Sequence, residues 1–252
     1  MDKNGGILMT SLEGIYLYCI IPKQENIKIE NIGLEEGKLY TVEYKDILAV
    51  VSNVPYKVYD FSMENIEIHE NVVKDLMNYY TVLPFNYGNV LKTRNDLNSF
   101  LKATYINLKK NILKVTGKIE VGLKIFIKSE YLNSVIENDD IRRMKKQIAG
   151  MNEQLAVNLK VELGRMVKKA LEKKQGELES KIFLKLKKFS SHARSNECNT
   201  VNMVLNASFL IEKEKLDLFT EELNKLTPSY DEKYMIKFTG PWPPYNFVEI
   251  SK

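Results

Sequence analysis

Two periods of apolar residues run through this 252-residue chain and divide it into strands and helices. A two-residue period marks a strand with one face on a core, and a three-to-four-residue period marks an amphipathic helix. Gly14–Ile21 reads as a buried strand stopped by Pro22, and Leu39–Tyr44 and Ile47–Val51 read as two short strands rich in β-branched and aromatic residues. Ser62 is placed to cap a helix whose inner face is Ile66, His69, Val73, Leu76 and Tyr80. The run 81–90 reads as a strand interrupted by Pro84, hence an edge or a bulge. A second helix over Asp96–Leu113 turns Leu97, Phe100, Leu101, Tyr105, Leu108 and Ile112 inward.

The pattern changes after Gly117. Ile119, Val121, Leu123, Ile125 and Ile127 alternate without a break, predicting a strand over 118–128, and Ser129 opens a helix ending near Gly150. Leu155, Leu159, Leu163, Met166, Ala170, Leu178, Ile182 and Leu186 hold helical spacing across 153–189. A bend or break is expected near Gly176, because an interior glycine costs a helix about 1 kcal/mol. A polar stretch at about 191–196 reads as an edge strand, followed by a strand over 201–211, a helix over 213–226 and a strand over 233–239. Gly240 and three prolines within four positions then end regular structure.

The second half therefore reads β-α-β-β-α-β, the order of a ferredoxin-like sandwich, with an extra helix (130–149) inserted after its first strand. The first half reads β-β-β-α-β-α. The expected fold class is α+β in two domains: 1–116, with 1–11 as a loose arm, and 117–252, ending in a proline/aromatic tail at 240–248.

Composition narrows the function classes. A 44% hydrophobic content supplies a core, and 28% charged residues a solvated surface. The early apolar run stops at Pro22 and no apolar signal region precedes it, so neither a leader nor a membrane span is expected. Two cysteines, Cys19 and Cys198, show no metal or redox spacing and suit a cytosolic protein. A net charge of +4 does not by itself argue for nucleic acid.

Catalytic and metal-binding signals are sparse. Gly33-Leu-Glu-Glu-Gly37-Lys38-Leu39 is one residue short of phosphate-loop spacing and lacks the hydroxyl that holds magnesium, so it reads as a turn. His69, on the inner stripe of its helix, reads as a hydrogen-bonded core histidine rather than a base. His192 beside Ser191 has no identifiable third group to orient it. Asp139-Asp140 reads as a solvated turn. No catalytic residue, cofactor or metal ligand is assigned. The lysines of the long helix (Lys160, Lys168, Lys169, Lys173, Lys174, Lys181, Lys185, Lys187, Lys188) support an alternative, a ferredoxin-like nucleic-acid-binding module. Interleaved Glu162, Glu172, Glu177 and Glu179 favour a solvated face instead.

Two stretches combine proline with aromatics at strand ends: Leu83-Pro84-Phe85-Asn86-Tyr87-Gly88 and Pro241-Trp242-Pro243-Pro244-Tyr245. They fit two readings, rigid corners that close the core or a docking surface for another protein. The candidate protein-interaction residues are Phe85, Tyr87, Trp242 and Tyr245.

Taken in order, the pieces resemble the gas vesicle protein GvpF/GvpL family. The resemblance rests on Gly14-Ile-Tyr-Leu-Tyr18, on His69-Glu-Asn-Val-Val73 leading into Thr81-Val-Leu-Pro-Phe85, and on Glu162-Leu-Gly-Arg165. It continues through Val204-Leu-Asn-Ala207, Phe209-Leu-Ile211 and the ending Gly240-Pro-Trp-Pro-Pro-Tyr245. Asn86 and Tyr87 depart from it, where the family often has a basic residue and a phenylalanine. The resemblance implies two α+β domains, the second a modified ferredoxin-like sandwich. It also implies a non-enzymatic accessory or minor structural protein needed to build gas vesicles, located at the vesicle and in the cytoplasm. The implied partners are the small hydrophobic shell protein GvpA and other gas vesicle accessory proteins, with no nucleic acid and no membrane.

Overall fold

The computed structural model describes residues 12–230 and 232–250; the arm expected at 1–11 lies outside them. The chain is a mixed α/β protein with two antiparallel sheets, in two compact units. One unit holds the chain up to Lys118 and again from Trp242 onward; the other is Ile119–Pro241.

In the first unit β1 (Glu13–Pro22), β2 (Leu39–Tyr44) and β3 (Ile47–Pro55) form an antiparallel sheet in the order β2-β3-β1. The β1–β3 register runs from Glu13 opposite Pro55 to Pro22 opposite Ile47, and slips by one residue at Tyr18. That bulge leaves Tyr18 without a partner in β3, its carbonyl accepting the Phe85 N–H (3.0 Å) instead, and re-aims its ring. Its hydroxyl bonds Ser52 Oγ (2.9 Å) and accepts the Leu34 N–H (2.9 Å). A Cβ on Gly33 would collide with this hydroxyl. The Gly33–Gly37 segment is accordingly a 3-10 turn wrapped around Tyr18.

Helix α1 (Met63–Tyr79) starts where Ser62 accepts the Asn65 N–H, and buries His69, Val72, Val73, Leu76 and Met77. Beyond it, β4 (Leu83–Pro84) and β5 (Val90–Leu91) both pair with β1 at the sheet edge. The interruption falls after Pro84, at residues 85–89, since an edge position tolerates the proline's missing N–H. Helix α2 (Arg94–Val115) is capped by Thr93, which accepts the Asp96 N–H (3.1 Å).

In the second unit the sheet order is β7-β8-β6-β9, from β6 (Lys118–Ile127), β7 (His192–Ser195), β8 (Met203–Glu212) and β9 (Tyr234–Trp242). All five alternating aliphatics of β6 are buried. Aromatic rings extend this core, with Phe209 5.1 Å from Phe219 and 5.5 Å from Phe183. The single helix expected over 130–149 is two, α3 (Leu132–Ile136) and α4 (Asp139–Ala149), because Asn138 accepts the Ile141 N–H (2.9 Å) and starts a new helix. Helix α5 (Val157–Leu178) continues through Gly176, so no break occurs there; a Cβ at that exposed position would meet nothing. The irregularity comes just after, as a π-turn over Glu179–Phe183 leading into the short α6 (Leu184–Leu186). A π-turn adds one residue to the repeat, and here it lets Leu178, Ile182, Phe183 and Leu186 all point inward. Helix α7 (Leu216–Leu226) buries Phe219 and Leu223.

The tail requires a correction. The strand expected over 233–239 runs to Trp242, at the sheet edge where Pro241 is tolerated. From Trp242 the chain belongs to the first unit rather than to the 117–252 domain. The reason lies in α2: Asn111 Nδ2 donates to Glu249 O (3.0 Å), its Oδ1 accepts the Glu249 N–H (3.3 Å), and Lys114 Nζ donates to Phe247 O (2.9 Å). Phe247 is buried.

Candidate protein-interaction site

Helix α1 contributes to the surroundings of all four candidate residues. His69, on its inner face, is buried. A carbonyl oxygen only accepts, so His69 Nε2 carries the proton and donates to Phe85 O (2.9 Å). Nδ1 is then an acceptor, and the Tyr16 hydroxyl donates to it (3.0 Å). The same Tyr16 oxygen accepts the Gly88 N–H (2.8 Å). Both ends of the turn Phe85–Gly88 are thus tied through one neutral imidazole and one phenol. Gly88 closes the turn at φ 91°, a backbone conformation that disfavours side-chain-bearing residues. Burial depresses the His69 pKa to about 4, against the opposing effect of the Phe85 carbonyl, so the ring is neutral near pH 7. Burial also raises the Tyr16 pKa, keeping its hydroxyl a donor.

Tyr87 carries this buried cluster to the surface. Its ring lies 6.0 Å from His69, 6.2 Å from Tyr16 and 5.4 Å from Phe61, and its hydroxyl donates to Asp60 O (2.8 Å). Phe61 is 78% exposed, its loop also presents Val58 at 93% and Tyr56 at 46%, and Met63, the first residue of α1, is 81% exposed. Between them Tyr59 points inward, its hydroxyl donating to Pro55 O (3.2 Å). Burial, with Glu35 second, pushes its pKa up to about 12. This apolar collar escapes a periodicity search because all of it but Met63 lies outside any repeating element. The available signal was five apolar or aromatic side chains from positions 56 to 63, flanking the helix cap Ser62.

The candidate residues divide between two places. Phe85 is buried, with its ring 5.7 Å from Phe100, and Tyr87 follows on the same turn. Trp242 and Tyr245 lie on the tail. Lys74 Nζ stands 5.2 Å from the centre of the Trp242 ring, which is 36% exposed. The Tyr245 hydroxyl is buried without a hydrogen-bond partner among the described residues. Its pKa is raised by burial first, with Cys19, Glu70 and Tyr16 nearby. Of the four, Trp242 is exposed, Tyr87 and Tyr245 are half-buried, and Phe85 is a core residue.

The other sequence candidates have local roles. Asp139 and Asp140 sit in the first turn of α4 and pair with Arg142 (3.2 Å) and Arg143 (2.5 Å). Lys160, Lys168 and Lys174 pair with Glu153, Glu172 and Glu177. Both cysteines are free thiols, Cys19 buried and Cys198 half-buried. Among the described residues no three His, Cys, Asp or Glu side chains gather, and no helix is long and apolar enough to cross a membrane.

The family model described as "Gas vesicle synthesis protein GvpL/GvpF" matches residues 14–249. Gas vesicle protein F1 of Halobacterium salinarum is 26% identical over 242 residues, covering 94% of both chains. Gas vesicle protein F of Nostoc sp. is 25% identical over 243 residues, covering 94% of this chain and 99% of that one. The crystal structure of the gas vesicle protein GvpF from Anabaena sp. PCC7120 superposes with a TM-score of 0.79 at 24% identity, covering 95% of this chain and 100% of that one. That of GvpF from Microcystis aeruginosa gives 0.75 at 20% identity, covering 94% and 99%.

Proposed function

Because the chain belongs to the GvpL/GvpF gas vesicle family, we propose that it acts as an accessory or minor structural protein of gas vesicles by binding the small hydrophobic shell protein GvpA. Its work is contact between surfaces rather than catalysis, carried out at the vesicle and in the cytoplasm around it. The observation that carries this reading is the collar of Tyr56, Val58, Phe61 and Met63, with Tyr87 behind Phe61. Exposed apolar side chains concentrated on one loop and the helix start that follows it are unusual for a free-standing surface and suit a partner that must bury apolar area before it assembles. Trp242 adds an aromatic surface on the tail. We read the two units as domains, the second as a modified ferredoxin-like sandwich; numbered within that unit, its strand order 2-3-1-4 supports this.

The nucleic-acid alternative is not favoured. The matching family model and the relatives named above are gas vesicle proteins, and several of the helix lysines are held by carboxylates.

The test is co-purification of GvpA with tagged variants. Phe61→Asp and Met63→Asp are expected to lose GvpA while melting within a degree or two of the parent, because both side chains are exposed. Full-strength capture by both variants would overturn the collar as the docking surface. Tyr87→Ala and Trp242→Ala, scored the same way, decide whether the turn and the tail take part.

A further inference from the structure

The second unit carries a basic corner that the collar does not involve. From Ser180 to Asn196 the chain has four lysines and one arginine and no acidic residue. Upstream, on α5 and just ahead of it, charge is balanced locally: Glu153–Lys160, Glu162–Arg165, Lys168–Glu172 and Lys174–Glu177 are paired. Lys181 still lies within reach of Glu177. Lys185, Lys187 and Lys188 are exposed, and no carboxylate among the described residues pairs with them. Leu184 beside them is 47% exposed.

The chain passes directly from this corner into β7, which ends the sheet. Asn196 donates its N–H to Asn206 O (2.7 Å), and Arg194 faces Ser208 in register. By the two-residue alternation of an antiparallel ladder, the backbone groups of Ala193 and Ser195 then point away from β8. β9, at the opposite edge, carries Gly240 and Pro241, residues that discourage strand addition. β7 has neither.

We propose that β7 and the Lys185/Lys187/Lys188 corner form a docking site for an extended acidic polypeptide segment, which adds to the sheet at Ala193 and Ser195 and sets its carboxylates against the lysines. Strand addition supplies backbone hydrogen bonds without sequence preference, and the charges supply selection. A polypeptide fits better than a nucleic acid. Only a polypeptide backbone completes a strand edge, and the nearby rings Phe183 and Phe189 are buried or half-buried rather than offered as a stacking platform.

The probe is a fluorescently labelled 12-residue peptide of alternating Glu and Val, titrated with the full chain and followed by anisotropy. Binding is expected to weaken steeply with added salt, and to fall at least tenfold in the Lys185→Glu/Lys187→Glu/Lys188→Glu variant. The same peptide N-methylated at every residue has no N–H to offer from either edge and is expected to bind at least tenfold more weakly. Matching melting temperatures establish that the variant is folded. No binding of the acidic peptide, equal binding of a Lys/Val peptide, or equal binding of the N-methylated peptide overturns the proposal. Tighter binding of a 12-mer single-stranded RNA than of the acidic peptide overturns the choice of a polypeptide.

Discussion

The two proline-and-aromatic stretches are hard to tell apart as text, and the molecule holds them in different ways. Residues 83–88 are fixed by polar bonds inside the core: His69 grips Phe85 O, and Tyr16 grips the Gly88 N–H. Residues 241–245 bring no such network; the Tyr245 hydroxyl is buried with no partner among the described residues, and Trp242 rests under a lysine at the surface. The tail's polar anchors come later, at Phe247 and Glu249, through Asn111 and Lys114. The same residue types therefore form a latched turn in one place and a packed strap in the other. Removing polar groups should be costly at the turn and nearly free at the start of the strap.

The largest effect is expected at His69. His69→Ala removes two buried hydrogen bonds, strands the Tyr16 hydroxyl and the Phe85 carbonyl, and leaves a cavity, together about 3 to 4 kcal/mol. Urea unfolding measures it. A loss under 1 kcal/mol would mean that the turn holds itself without the imidazole.

Acid should act on the same latch. The His69 pKa lies near 4 in the folded chain, below the ordinary 6.5, so the unfolded chain binds more protons between those values. Stability falls as pH drops below 6.5, and the loss is complete below about 4, for a total of about 3 kcal/mol. The comparison to make is the pH 7 minus pH 4.5 stability difference in the parent and in His69→Gln. The difference should shrink in the variant; an unchanged difference would place the acid-sensitive group elsewhere.

This contrast was only partly legible in the sequence. His69 falls on the inner stripe of an amphipathic helix, and periodicity alone marks it as a core residue. Its partners are another matter. Tyr16 lies 53 residues away and Phe85 16 away, and no local pattern announces a bond between them. The strands of both sheets were readable because alternation is a local property, as at Ile119–Ile127. The break before α4, the π-turn after Leu178 and the return of the tail were not. Each depends on one cap, one inserted residue or a pair of side chains on a distant helix. The collar was missed for a related reason: its side chains are apolar without being periodic, and only the structure tells an exposed apolar loop from a buried one.

A matched pair of phenol deletions sharpens the comparison. Tyr16→Phe should cost about 2 kcal/mol, because the Gly88 N–H and His69 Nδ1 both lose their partner inside the core. Tyr245→Phe removes a hydroxyl that bonds to nothing among the described residues, so stability should hold or rise by up to about 1 kcal/mol. Thermal melts of the two variants side by side decide it. Equal losses would erase the distinction between latched turn and packed strap.

The smallest effect belongs to the surface end of the strap. A lysine over an exposed indole is worth about 0.5 to 1 kcal/mol, so Trp242→Ala and Lys74→Ala should each destabilise by roughly that amount. The double variant should cost less than the sum of the two, because one interaction is being deleted twice. Salt adds a second reading: the coupling should weaken between low and high ionic strength, whereas the effect of Tyr245→Phe should not move. Strict additivity at every salt concentration would leave Trp242 contributing only covered area. The tail would then be held from Phe247 and Glu249 alone, and the indole would be free to turn toward a partner without cost to the fold.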